Sequence, residues 1–337
     1  MDFTFPAEAD EAAALAASIL GDLTGVERLK AVEAEGDRFD RELWTTLTNA
    51  FDWSDLSLIE LCRVLVEVGR TVAPVPLAVH GPSVLLLNEL GVDAEGLITA
   101  AVAEERAHLP ETPTTTSDGS TVSGVKTLVR AGMSADAFLV TAGTPEGARV
   151  LLVEADADGV TREAQHTSDG DATALVTFTN APAQLVGGPD TAHRYGDLLT
   201  VAAAAEQLGV TEGALRLTAD YAKSREQFGR PIGTFQAVGQ RLADGFIDVL
   251  CQRLALWQAV WRLSEGADAA TEVAVAKLWA ADAGHRLAHT TVHVHGGVGI
   301  DLDGTAHRYF TAAKRFEFLF GGATEQALTI GRALASA

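Results

Sequence analysis

The sequence predicts a chain in three parts: an N-terminal α-helical domain over residues 1–96, a middle antiparallel β-barrel or sheet domain over 97–190, and a C-terminal four-helix bundle over 191–337. Three observations predict it. Apolar residues recur at spacings of three and four from Ala7 to about Val92. Short β-rich runs separated by turn residues then fill the chain from Leu97 to Gly188. Helical spacing returns after Asp197 and holds to the end.

In the first part, "AAALAASIL" and "SLIELCRVLVEVGRTVA" carry the helical stripe, and the prolines of "APVPLAVHGP" interrupt it. In the second, "STVSGVKTLV", "AFLVTA", "ARVLLVEA" and "ATALVTFT" read as strands bounded by Gly, Asp, Asn and Pro. In the third, four long amphipathic segments begin at Asp197, Thr234, Ala269 and Thr324, and their continuous apolar faces suit a bundle. Trp257 and Trp261, four apart on the second of these, read as bundle core.

Forty-six acidic against 25 basic residues give a net charge of −21, which argues against a nucleic-acid or anionic-membrane surface. Two cysteines, Cys62 and Cys251, are too few for a disulfide framework or a cysteine-based zinc site, so a reducing cytoplasm is expected. The N-terminus opens with acids where an export signal places Lys or Arg, and no window reaches about 20 uninterrupted apolar residues. His285, His289, His293 and His295 share one helical segment, but no acid or cysteine follows in a zinc pattern, and no metal is expected.

Two segments of the bundle are more specific than composition. "YAKSREQFGRPIGTFQAV" places Arg225, Phe228 and Gln236 around a Gly-Arg-Pro-Ile-Gly turn between two long helices. Taken bare, such an Arg and Phe are a surface cation and a core anchor. "HVHGGVGIDLDGTAHRYF" carries Gly296, Gly297 and Gly299, which permit close approach to a ligand or cap a helix. Together, in this order on this architecture, the two segments resemble the acyl-CoA dehydrogenase family, and the resemblance covers almost the whole chain.

The resemblance implies the acyl-CoA dehydrogenase fold and FAD as cofactor. In that family the Arg-x-x-Phe-Gly and Gly-Gly-x-Gly segments of one subunit reach the pyrophosphate and adenine of the neighbour's FAD. It therefore implies cofactor contacts for Arg225, Phe228, Gln236, His293, Gly296 and Gly297. His293 departs from the family's Gln or Glu, yet a histidine still donates a hydrogen bond.

The family removes an α-proton from an acyl-CoA thioester with a carboxylate, in most members a glutamate in an aromatic-Glu-Gly-Thr-Ser segment. "FGGATEQ" puts Phe320 on the aromatic and Gly321 on the glutamate. A second branch keeps its glutamate before the first bundle helix, where Leu199 and Thr200 stand here. Glu325 reads as a first-turn helix acid, and Glu206 lies in an "AAEQLG" stretch shared with members whose base is elsewhere. No catalytic base is therefore assigned.

Members also cradle the flavin ring with a Thr-Glu-Pro-Gly-x-Gly-Ser loop and a Trp-x-Thr strand. The matching segments are "AEERAHLP" and "KTLVRAG", with Leu128 in place of the tryptophan and Arg130 in place of the threonine. The donating half is kept and the receiving half lost. This resembles the non-catalytic subunit of α2β2 acyl-CoA dehydrogenases acting on steroid side chains, in which a glutamate-bearing homologue holds the flavin ring and two FAD molecules serve the tetramer. The competing readings are a self-sufficient homo-oligomer with a relocated base and a flavin-free scaffold.

Overall fold

The computed structural model describes residues 4–336. Five helices come first: α1 (Ala7–Leu23), α2 (Val26–Ala34), α3 (Arg41–Ala50), α4 (Leu58–Arg70) and α5 (Leu77–Glu89). The Asp40 carboxylate caps α3 by accepting the Leu43 N–H at 3.0 Å. The proline-rich stretch stops the chain only briefly. Pro76 precedes the first residue of α5, and Pro82 is carried inside it.

Eight strands follow: β1 (Ile98–Ala101), β2 (Thr116–Ser117), β3 (Thr121–Arg130), β4 (Ala137–Thr144), β5 (Gly147–Glu154), β6 (Val160–Gln165), β7 (Thr173–Pro182) and β8 (Gln184–Gly187). They form one sheet in the order β6-β7-β3-β2-β4-β5-β8, with β1 also paired to β4. The sheet is mixed rather than purely antiparallel, because β1 and β2 both run parallel to β4. Its inward face is apolar, and Phe138 meets Phe178 edge-on at 5.9 Å.

The last part is α6 (Pro189–Ser224), a two-residue strand pair β9 (Glu226–Gln227) and β10 (Arg230–Pro231), α7 (Gln236–Ser264), α8 (Ala270–His295), α9 (Ala306–Phe318) and α10 (Ala323–Ser336). The four long segments correspond to α6, α7, α8 and α10. The helix α9 is an addition that the sequence texture does not separate from the glycine-rich motif before it.

Contacts group the chain into two compact units. A helical unit holds the chain through Ala31, Leu58–Ala73 and everything from Ala203; a sheet unit holds Val32–Ser57 and Pro74–Ala202. Within the helical unit α4 and α6 touch backbone to backbone. A Cβ on Gly209 would lie 2.0 Å from the Val66 carbonyl oxygen, and one on Gly69 1.9 Å from that of Glu206, so both positions exclude a side chain.

The outer face of α7 corrects one sequence expectation. Trp257 is half-buried with its ring 4.7 Å from Phe5, but Trp261 is 44% exposed. It continues an exposed apolar stripe of Phe246, Ile247, Leu250 and Leu254. Helical spacing alone does not tell an inward stripe from one that faces outward. Among the described residues, no helix is long and apolar enough to cross a membrane.

Candidate functional site

The two sequence motifs fold at the ends of α6 and α8, in the helical unit. After Ser224 the chain turns through β9 and β10, with Gln227 opposite Arg230 and a two-residue loop of Phe228 and Gly229. Both loop residues have positive φ, +53° and +75°, the mirror-image turn that matches strand twist and that Asn-Gly sequences favour. Here a phenylalanine takes the first position, and its side chain is 93% exposed. A bulky residue in left-handed backbone costs on the order of 1 kcal/mol, and a ring this exposed buries little area in return.

Groups without partners stand at these helix ends. The side chains of Arg225, Gln236 and His293 are exposed and make no hydrogen bond or ion pair among the described residues. The root of the hairpin is fixed: the Arg225 N–H donates to the Tyr221 carbonyl and the Ile232 N–H to the Arg225 carbonyl, each at 2.8 Å. Arg230 lies over the Phe235 ring at 4.2 Å, and Phe235 meets Phe228 edge-on at 6.1 Å.

At the end of α8 the chain makes a 3-10 turn over Gly296–Gly299. Gly299 is required internally, since a Cβ there would lie 2.8 Å from the Val292 carbonyl oxygen. Gly297 is not required internally. Its φ is not positive, nothing lies within 4 Å of a Cβ built on it, and it is exposed. The α6 and α8 ends lie side by side, with Thr218 and Thr291 hydroxyls 3.1 Å apart and the Tyr221 and His295 rings stacked at 4.3 Å. The structure thus brings the two motifs to one end of the bundle. Tyr221, Arg230 and Phe235 are members of this end that motif matching missed.

The positions matched to a catalytic glutamate carry none. Leu199 is fully buried, and the Thr200 hydroxyl donates to the Gly196 carbonyl at 2.7 Å. Gly321 has φ +103°, after Phe320 at +57°. Gly322 precedes α10, and its N–H donates to the Glu325 carboxylate at 2.8 Å, so Glu325 reaches back from the first turn to cap the helix. The Glu206 carboxylate faces the Arg315 guanidinium at 3.7 Å inside the helical unit.

In the sheet unit the segments matched to the flavin-ring cradle are tied to each other. Lys126 Nζ is 2.7 Å from Glu104 Oε1, with both side chains buried. Glu104 also accepts the Thr114 N–H, the Thr114 hydroxyl and the Thr115 N–H at 2.7 to 2.9 Å. Burial pushes the Glu104 carboxyl up, but those donors together hold it down at about 2. Burial also pulls the Lys126 ammonium down to about 8 against the pull of Glu104. Arg130 turns inward and pairs with Asp171 at 3.0 Å. Leu128 sits at φ +52° where the β3–β7 ladder is broken between Lys126 and Val129. The glycine of these segments, Gly132, packs internally, since a Cβ there would lie 2.8 Å from the Ala174 Cβ.

His285 and His289 approach with ring centroids 4.6 Å apart, and His285 Nδ1 lies 3.1 Å from Glu317. Among the described residues no group of three or more His, Cys, Asp or Glu is placed to hold a metal ion.

The family description "Acyl-CoA dehydrogenase, C-terminal domain" matches residues 200–335. The chain is 42% identical to the acyl-CoA dehydrogenase FadE27 of Mycobacterium tuberculosis, over 99% of each sequence. It is 34% identical to FadE28 of the same organism, over 82% of this chain and 84% of that one. Among solved structures, a chain of the ChsE4-ChsE5 complex from Mycobacterium tuberculosis is 41% identical and superposes with a TM-score of 0.92 over 100% of both chains. A chain of the Tcur3481-Tcur3483 steroid ACAD G363A variant is 36% identical, with a TM-score of 0.93 over 98% of both.

Proposed function

Because the chain belongs to the acyl-CoA dehydrogenase family, we propose that it is the base-lacking subunit of a heteromeric acyl-CoA dehydrogenase, completing the FAD site of a glutamate-bearing homologue. The observation that carries this reading is Phe228: an aromatic ring held in left-handed backbone and 93% exposed, whose one ring contact among the described residues is the edge of Phe235. Gly297, whose lack of a side chain answers no internal need, supports it. So does the ChsE4-ChsE5 complex, one chain of which is 41% identical to this one.

The donated residues suit half of the cofactor. The Arg225 fork binds a diphosphate bidentately, the Phe228 ring packs on the adenosine side, and Gly296 and Gly297 let the main chain approach the phosphates. Gln236 and His293 supply hydrogen bonds at the rim. When bound, FAD supplies a hydride acceptor for the β-carbon of an acyl-CoA. The residues at this chain's own ring position do not fit the flavin: Arg130–Asp171 and Glu104–Lys126 are closed ion pairs, and no carboxylate occupies either base position. Ring, base and thioester belong to the partner in an α2β2 assembly with two FAD molecules. The steroid assignment of a relative makes a steroid side-chain CoA the proposed substrate.

The experiment is to purify the chain alone and together with its glutamate-bearing homologue, and record visible flavin absorbance and dehydrogenase activity. A colourless, inactive chain and a yellow, active complex with one FAD per pair of unlike subunits are expected. A yellow, active protein from this chain alone overturns the reading.

A further inference from the structure

Two rings join the halves of the donated site. Tyr221 stands one helical turn before Arg225, and His295 is the residue before Gly296. Their ring centroids are 4.3 Å apart and their planes 22° from parallel, and both are half-buried. Each ring is anchored to the motif it adjoins. The Arg225 N–H hangs from the Tyr221 carbonyl at 2.8 Å. His295 Nδ1 donates to the Thr291 carbonyl at 2.8 Å, which fixes both the tautomer and the rotation of its ring.

The location of this contact gives it a consequence. Both motifs leave the C-terminal ends of helices, where the last carbonyls lack partners and the chain frays most easily. A diphosphate must meet the Arg225 guanidinium and the Gly296–Gly297 backbone at once. Two weak contacts add fully only when their spacing is fixed beforehand, because the second contact is then intramolecular. The two hydroxyls one turn deeper, Thr218 and Thr291, bond at 3.1 Å and hold the helices together whether or not the rings are present.

We propose that Tyr221 and His295 are positioning residues, a stacked clamp that sets the distance between the arginine hairpin and the glycine turn so that both grip the FAD diphosphate. This rests on the cofactor-donating reading above. The clamp acts through geometry, so the ring of Tyr221 matters and its hydroxyl does not.

The test uses the complex with the glutamate-bearing homologue. FAD loss on dilution is followed by flavin fluorescence, and amide hydrogen exchange is measured on the same samples. Tyr221→Leu and His295→Leu are each expected to weaken FAD retention by about 2- to 10-fold, the range for loss of one aromatic contact. The double variant should be no worse than the weaker single, because one contact is removed in all three. Tyr221→Phe should match the wild type. Exchange should rise at residues 296–299 in the Leu variants, with assembly size unchanged. Additive losses, unaltered retention, or a Tyr221→Phe variant as impaired as Tyr221→Leu overturns the clamp. A wild-type complex without FAD would instead sink the cofactor-donating reading. Exchange at the glycine turn would then decide the clamp alone, and unchanged protection would end it.

Discussion

At Gly321 the backbone sits at φ +103°, and a Cβ there would lie 2.5 Å from Gln326 Nε2 and 3.2 Å from Glu325 Oε2. On the proposed base-lacking reading, what this position lacks is therefore more than a side chain. Gly321→Glu is expected to lower the thermal midpoint and to leave the purified chain without dehydrogenase activity; recovered activity would show that the turn adapts. Phe228 presents the opposite case, a side chain kept against the preference of its backbone. Phe228→Asn should raise the midpoint by about 1 to 3 °C while weakening FAD retention in the complex, and a variant that gains stability without losing flavin would strip the ring of its role. Sequence alone showed which residue types stood at these positions, because motif spacing is local. It did not show their φ values, nor that Arg130 would find Asp171, forty-one positions away in the turn before β7.

The stripe on α7 belongs to the scale of elements. Phe246, Ile247, Leu250, Leu254 and Trp261 are all exposed along one helix, a contiguous apolar stripe of the kind that marks an interaction surface. If the proposed heteromer docks on this stripe, Leu254→Asp is expected to abolish co-purification with the homologue and to remove flavin with it, while the chain's own unfolding shifts by no more than about 0.5 kcal/mol, as for an ordinary surface substitution. Size-exclusion chromatography and a melting curve read both; intact assembly would move the interface elsewhere. Helices and strands were legible where periodicity was long. The sequence missed the parallel pairing of β1 and β2, since direction is set by partners far along the chain. It also missed α9 as a separate helix and the outward turn of Trp261, because amphipathic spacing reports a face without saying what covers it.

For the molecule as a whole, buried charge gives stability a pH dependence with a definite sign. Burial lowers the Lys277 ammonium to about 7, although it donates to the Phe316 carbonyl at 2.9 Å. Between about 7 and the ordinary 10.5 the unfolded chain holds the proton that the folded chain has released, so this group makes stability rise with pH over that window. Glu104, held at about 2 against an ordinary 4.5, contributes stability above 4.5 that is lost as pH falls towards 2. In paired melting curves, wild type should gain on Lys277→Met from pH 7 to 10, and a constant gap would refute the assignment. The three-part order of the fold was readable because each texture runs for tens of residues; the grouping into two units depends on contacts that no local pattern encodes. The uncovered α7 stripe also bears on how the protein is made. In the proposed heteromer with α7 at the interface, a copy synthesised without its companion would expose a surface that chaperones and proteases recognise, so the soluble amount of this chain in a cell should track the supply of the other subunit, and the two should need matched synthesis.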